Sequence, residues 1–274
     1  MAFQSTITTL TDEDFDFFRE VVYTETGIKL APLKRALLQS RIMKRLRALG
    51  LTSFHDYRLY LDDDYDNEIL EFINVITTNK TEFMRESRHF DFMLQTALPE
   101  LEKTCGDELR IWSAGCSTGE EPYSIAITCR EYFRSRTAPT VKILATDIDT
   151  QVLKTGYVGE YKSALLNIFD EALRTKYFDY SDGMYIVRED IRKMVSFRRL
   201  NLLLDTYPMK KRFKIIFCRN VIIYFDKETQ NRLFKKMYNY LDDDGYLFIG
   251  HSENLSGISD RFRSIGHTIY KKIV

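Results

Sequence analysis

The sequence predicts an α/β protein in two parts: a small all-helical N-terminal domain, then a mostly parallel, doubly wound sheet carrying a small antiparallel insert. Three observations carry that expectation. Apolar residues over roughly the first 75 positions recur at helical spacing. Beyond about residue 108, short apolar runs alternate with helical stretches of ~10–15 residues, the rhythm of strand–helix–strand units. Gly (12) and Pro (5) are scarce among 274 residues, which disfavours an all-β fold built on tight turns.

Each element has a local reason. Thr11 reads as the N-cap of a helix opening on Asp12, Glu13 and Asp14, acids that suit the positive end of the helix dipole, and Gly27 reads as its stop. A second helix is expected over 32–49, with Pro32 in its first turn and Gly50 just past its end. Residues 53–61 and 67–76 read as a third and a fourth. In the second part, 109–115, 141–147, 213–218 and 245–250 read as buried strands, and 121–133 and 226–241 as helices. Tyr185-Ile186-Val187 and Met194-Val195-Ser196-Phe197 lie too close together for a helical crossover. An antiparallel insert is therefore expected at about 178–200.

Composition narrows the function. Forty Lys+Arg against 40 Asp+Glu sum to a formal net charge of zero, which excludes a uniformly basic nucleic-acid protein and a uniformly acidic solvating chain. At 44% hydrophobic, with 19 Phe and 17 Tyr, the chain can pack a core. No run approaches the ~18 apolar residues of a membrane span, and residues 1–6 lack the basic and apolar regions of a signal peptide. Cys105, Cys116, Cys129 and Cys218 are widely spaced, with no C-x-x-C and no histidine cluster. Reduced thiols in the cytoplasm, and no metal, are expected.

The charge is unevenly placed. From Lys29 to Gly50 stand seven basic residues, Lys29, Lys34, Arg35, Arg41, Lys44, Arg45 and Arg47, and no acid. At ~100° per residue, Lys34, Arg41 and Arg45 share one helix face beside an apolar stripe of Leu38, Ile42, Leu46 and Leu49. Such a face is either solvated or a docking surface for an acidic partner.

The stretch richest in chemistry is Trp112-Ser113-Ala114-Gly115-Cys116-Ser117-Thr118-Gly119-Glu120-Glu121-Pro122. A strand leads through a small-residue turn into a helix, the place where α/β folds hold nucleotide-like ligands. Gly115 and Gly119 permit close backbone approach. The turn is neither G-x-G-x-x-G nor a P-loop. Its two acids would repel a pyrophosphate and suit a cationic or hydroxyl-bearing ligand, such as the ammonium end of S-adenosylmethionine. Asp147 ends the next strand, about 28 residues after Gly119, where an acid can accept from ribose hydroxyls. Turn and acid together point to an adenosine cofactor.

Five motifs resemble those of the chemotaxis receptor methyltransferase family (CheR type). They are Thr77-Thr78-Asn79-Lys80-Thr81-Glu82-Phe83-Met84-Arg85-Glu86, the turn from Ile111 to Ser124, Ala145-Thr146-Asp147-Ile148-Asp149, the run from Phe217 to Asp226, and Gly250-His251-Ser252-Glu253-Asn254. The resemblance runs in order over nearly the whole chain. It implies a helical receptor-docking domain at 1–76, a linker at 77–90 that contributes to the cofactor site, and a Rossmann-like S-adenosylmethionine-dependent methyltransferase domain at 91–274. It further implies a protein-glutamate O-methyltransferase that esterifies glutamates in the cytoplasmic helical bundle of chemoreceptors and releases S-adenosylhomocysteine. A monomer is expected, with neither nucleic acid nor membrane insertion.

By the same resemblance, Asn79, Thr81, Arg85, Gly115, Glu121, Asp147, Asn201, Leu202, Arg219 and Asn220 lie at the cofactor. Arg85 and Tyr224 face the reacting centre, and Lys34, Arg41, Lys44 and Arg45 dock the receptor. The segment 178–185 is compact with a single Gly, a departure from members that tether a receptor C-terminal pentapeptide at a glycine-containing loop. Elementary chemistry agrees with the assignment. A glutamate side chain, with a pKa near ~4.3, is already ionised at neutral pH and needs no general base. Catalysis should come from positioning and exclusion of water, with Arg85 orienting the carboxylate and Tyr224 bonding its oxygen. His251 reads as a strand-end structural residue. Two alternatives stay open: a methyltransferase for another acceptor, such as RNA held at Lys210-Lys211-Arg212, and a non-catalytic signalling module that binds S-adenosylmethionine or another nucleotide.

Overall fold

The structure, a computed structural model, describes residues 9–257 and 260–273. Residues 1–6, where no signal peptide is expected, lie outside the described residues. Among those described, no helix is long and apolar enough to cross a membrane.

The N-terminal part is four helices. α1 (Asp12–Thr26) starts where the Thr11 side chain accepts the Asp14 N–H, and it ends on Gly27 in the left-handed conformation. Pro32–Lys34 forms a tighter 3₁₀ turn, so α2 (Arg35–Leu49) begins slightly later than its apolar period suggests. α3 (Phe54–Asp63) is capped by Ser53, and α4 (Tyr65–Ile76) follows directly. Their apolar faces close one core, in which the rings of Phe18, Tyr57 and Phe72 meet Leu38, Ile42 and Leu46 of α2. Within it Arg45 of α2 forks onto the Glu68 carboxylate of α4 at 2.8 and 2.6 Å, and Tyr57 donates to the same carboxylate.

A linker leads to α5 (Arg88–Phe92), which continues through a π-turn at Met93–Ala97 into α6 (Leu98–Leu101). The α/β part then runs β1 (Glu108–Ala114), α7 (Glu120–Tyr132), β2 (Thr140–Asp147), α8 (Thr150–Val158), β3 (Glu160–Lys162), α9 (Glu171–Tyr177), β4 (Phe178–Ser181), β5 (Met184–Val187), α10 (Glu189–Arg192), β6 (Val195–Arg199), β7 (Phe213–Cys218), α11 (Lys227–Tyr240), β8 (Leu241–Ile249), β9 (Phe262–Gly266) and β10 (Ile269–Lys272). Among the described residues one sheet has the order β6-β2-β1-β7-β8-β10-β9. Its first five strands are parallel, and β10 and β9 join antiparallel. Successive Ile215, Ile216, Phe217 and Cys218 are all buried, because helices cover both faces of the parallel strands.

The insert differs from expectation. β3, β5 and β4 form a separate antiparallel sheet, whose β4–β5 hairpin turns at Asp182 and Gly183, both with positive φ (51° and 82°). The run at 194–197 does not pair there. It forms β6, which joins the main sheet parallel to β2. The long-crossover requirement holds between parallel neighbours of one sheet. β5 and β6 belong to different sheets, so the short α10 suffices to link them.

From β1 the chain steps through β2 to β6, then returns to β7 on the other side of β1. The carboxyl ends of β1 and β7 therefore border a crevice at a topological switch point, where open α/β sheets bind ligands.

Candidate active site

A cleft, open at its mouth, occupies that switch point. The loops after β1, β2, β6 and β7, the linker and the end of α1 all line it. Gly115 (φ 84°) shapes its floor: a Cβ there would sit 2.4 Å from the Val221 side chain, so only glycine lets the β1 and β7 loops approach this closely.

Two acids, one ending β2 and one opening α7, face the cleft. The Asp147 carboxylate accepts the backbone N–H groups of Ser117 (2.9 Å) and Asp149 (3.0 Å), leaving acceptor capacity on both oxygens. Burial pushes its pKa up, against the pull of those amides. Glu121, in the first turn of α7, accepts the Ser113 hydroxyl at 2.7 Å and pairs with Arg219 at 3.2 Å. Burial raises its pKa as well, with Arg219 opposing.

The linker crosses the open side. The Asn79 amide donates to Asp149 at 2.7 Å, and its carbonyl accepts from the Ser117 hydroxyl at 2.8 Å, which fastens linker to turn. Thr81 and Arg85 also line the cleft, and Arg85 donates to the Lys80 carbonyl at 2.9 Å. Asn201 lines it too, but both ends of its amide are committed, donating to the Glu25 carbonyl and accepting the Leu203 N–H. Leu202 adds apolar wall.

Arg219 and Asn220 follow β7. The Arg219 side chain is 1% exposed and bridges Glu86 (3.1 Å) and Glu121 (3.2 Å), while also donating to the Arg85 carbonyl. It is the hub that locks the linker against the sheet. For Glu86, burial pushes the carboxyl pKa up, but Arg219, the His251 N–H and Asn220 together hold it below its ordinary value. Asn220 has positive φ (58°), and its loop is held by a residue whose role the sequence did not reveal. The buried Glu253 carboxylate accepts the N–H groups of Asn220, Ile222, Ile223 and Gly250. Glu253 and Glu86 both stand inside the quoted motifs, but a role as backbone anchor leaves no signature in spacing.

Tyr224 sits in the 3₁₀ turn Ile222–Tyr224, lines the cleft, and its carbonyl accepts the Lys29 N–H at 2.9 Å. The four expected docking cations differ in what covers them, and Lys34 stands in the 3₁₀ turn rather than in α2. Lys34 and Lys44 are exposed. Arg41 is turned inward, donating to the Ile76 carbonyl and to the Thr78 hydroxyl at 2.7 Å. Arg45 is consumed by Glu68, whose side chain is only 3% exposed. A buried carboxylate needs a partner, and Arg45 supplies it.

The lining fits S-adenosylmethionine by its donor and acceptor chemistry. Asp147 offers free lone pairs for vicinal hydroxyls, Glu121, already engaged by Ser113 and Arg219, adds negative charge to the wall, and Asn79, Thr81 and Asn220 bring further polar groups to the same cleft.

The description "CheR methyltransferase, SAM binding domain" matches residues 79–271, and "CheR methyltransferase, all-alpha domain" matches residues 13–77. Similar proteins include chemotaxis protein methyltransferase 2 of Pseudomonas aeruginosa, 44% identical over 264 residues, covering 95% of this chain and 93% of that one. The chemotaxis protein methyltransferase of Borreliella burgdorferi is 40% identical over 270 residues (96% and 95%). That of Escherichia coli is 40% identical over 268 residues (95% and 91%).

Proposed function

The chain belongs to the CheR methyltransferase family and is an S-adenosylmethionine-dependent methyltransferase, and on that premise we propose that it forms methyl esters on glutamate side chains in the cytoplasmic helical bundle of chemoreceptors. The observation that carries this reading is the convergence of Arg85, from the linker, and Tyr224, from the β7 loop, on the cleft that also holds Asp147 and Glu121. The cofactor, when bound, supplies an electrophilic methyl group on a sulfonium.

The protein's own residues have a limited task. The acceptor carboxylate is already ionised at neutral pH, so no proton need be removed. Arg85 orients it by charge-assisted hydrogen bonds, and the Tyr224 hydroxyl donates to one of its oxygens. Leu200, Leu202, Val221 and Phe90 line the cleft and keep water from the reacting centre. Arg219, Glu86 and Glu253 act through the backbone they hold, fixing Arg85 and Asn220.

The deciding experiment supplies methyl-labelled cofactor and a receptor cytoplasmic fragment to the wild type and to Arg85→Ala. The expected product is base-labile label on the receptor, with kcat/KM lowered roughly tenfold to hundredfold in the variant. Base-stable label, or label transferred to RNA instead of receptor, would refute the proposal.

A further inference from the structure

We propose that Glu86, His89 and His251 form a binding site for one divalent transition-metal cation of the zinc class, at the seam between the linker and the loop after β8. The inference is independent of the methyl acceptor. One ligand atom from each residue lies within 4.8 Å of the others. Glu86 Oε2 stands 3.5 Å from His89 Nδ1 and 3.8 Å from His251 Nε2. Zinc bonds of about 2.1 Å in tetrahedral array set ligand atoms about 3.4 Å apart, so two of the three edges nearly match. His251, 48% exposed, can swing to shorten the third.

The chemistry of the pair at the centre points to a cation. His89 Nε2 lies 2.8 Å from the His267 carbonyl, an oxygen that can only accept, so the proton of the neutral ring is on Nε2. Nδ1 then presents a lone pair to Glu86 Oε2, which has lone pairs of its own. The His89 side chain is fully buried, and its Nδ1 has no hydrogen-bond partner among the described residues. The two acceptors face each other in the interior; the Arg219 guanidinium, 3.1 Å from Oε2, offsets the carboxylate, and the His89 Nδ1 lone pair is left for a cation to engage.

The surroundings resemble those of a metal site. A ligating histidine usually donates its other ring N–H to a carbonyl or carboxylate, as His89 does. A ligating carboxylate is itself held by hydrogen bonds. Glu86 Oε1 accepts from Asn220 Nδ2 and the His251 N–H, while Arg219 stands 3.1 Å from Oε2. That guanidinium opposes a second cation, but it is shared with Glu121 and the Arg85 carbonyl. Two imidazoles and one carboxylate favour zinc, cobalt or nickel over magnesium or calcium. The exposed His251 side leaves a coordination position and an access route. The sequence concealed the site because His89 and His251 meet only in the folded chain.

The test treats the full-length protein with a chelator, removes the chelator and titrates with Co²⁺ followed optically, then with Zn²⁺ in competition. The expected result is saturable binding of one equivalent with the visible bands of a four-coordinate cobalt site, bleached by zinc. His251→Ala, whose side chain is half exposed and whose folding is checked by circular dichroism, should weaken binding at least about tenfold. Cys105→Ser, which alters the accessible thiol, should bind as the wild type does. Absence of saturable binding in the wild type, unchanged affinity in His251→Ala, or loss of binding in Cys105→Ser would each overturn the assignment.

Discussion

Asp147 and Glu121 share a buried wall of the cleft, and both have carboxyl pKa values raised above the ordinary range by burial. An acid whose folded pKa exceeds its unfolded one holds its proton more tightly when folded. The ligand-free protein therefore loses stability as pH rises through that window, from just above the usual carboxylate values upward. A ligand carrying positive charge and ribose hydroxyls favours the ionised forms and offsets the loss. The stabilisation of the protein by S-adenosylmethionine, read as the rise in Tm at fixed excess, should therefore grow as pH rises above the ordinary carboxylate range. Asp147→Asn should flatten that growth and weaken cofactor affinity ~10–100-fold, since a charged acceptor is lost. A Tm rise that shrinks with pH in the wild type would contradict this assignment of the two acids. The place of Asp147 at the cleft is legible from the sequence because the acid ends a strand that follows a small-residue turn, and neither signal alone would suffice. Glu253 and Glu86 are not, because they act on backbone N–H groups and on Arg219, contacts that only the fold brings together.

At the level of elements, β7 is legible from end to end, since a strand covered on both faces reads as an unbroken apolar run. β6 is not. As an edge strand it buries only Val195 and Phe197, alternating with exposed residues, and so resembles half of a hairpin. Its pairing with β2 is a long-range choice that local periodicity does not encode. α2 shows the same limit from another side. The helical period places Arg41 and Arg45 correctly on one face, yet what covers that face depends on α4 and the linker. The two kinds of cation on α2 should separate on mutation. Arg45→Ala leaves Glu68 buried without its ionic partner and should cost about 3 kcal/mol of unfolding free energy in urea. Arg47→Ala, at an exposed position, should change it by less than about 0.5 kcal/mol. Equal effects would mean that Arg45 does not stabilise the helical domain.

The two parts of the molecule are joined at the cleft itself. Tyr23 of α1 donates to Asp226 at 2.8 Å, Asn201 to the Glu25 carbonyl at 2.7 Å, and Asn79 to Asp149 at 2.7 Å. Thr26 and Ile28 complete the wall beside Tyr224. On the proposed reaction, the cations that the helical domain leaves in solvent are expected to meet an acidic partner on its way to the cleft. Lys34, which follows the 95% exposed Leu33, and Lys44 are both exposed and make no ion pair among the described residues. On that proposal, the balanced net charge of the whole chain hides local positive charge available to an acidic partner. Steering of this kind acts on association and is screened by salt, with a Debye length of about 10 Å at 0.1 M. On the proposed reaction, reversing both charges (Lys34→Glu with Lys44→Glu) should lower kcat/KM for a receptor fragment roughly tenfold at low ionic strength. The deficit should shrink as salt is added, and cofactor affinity measured by calorimetry should stay within about twofold of wild type, because neither residue lines the cleft. Methylation that proceeds at the wild-type rate at low salt would remove these lysines from the docking surface. A parallel loss of cofactor binding would show instead that the double change disturbs the wall formed by α1 and the linker.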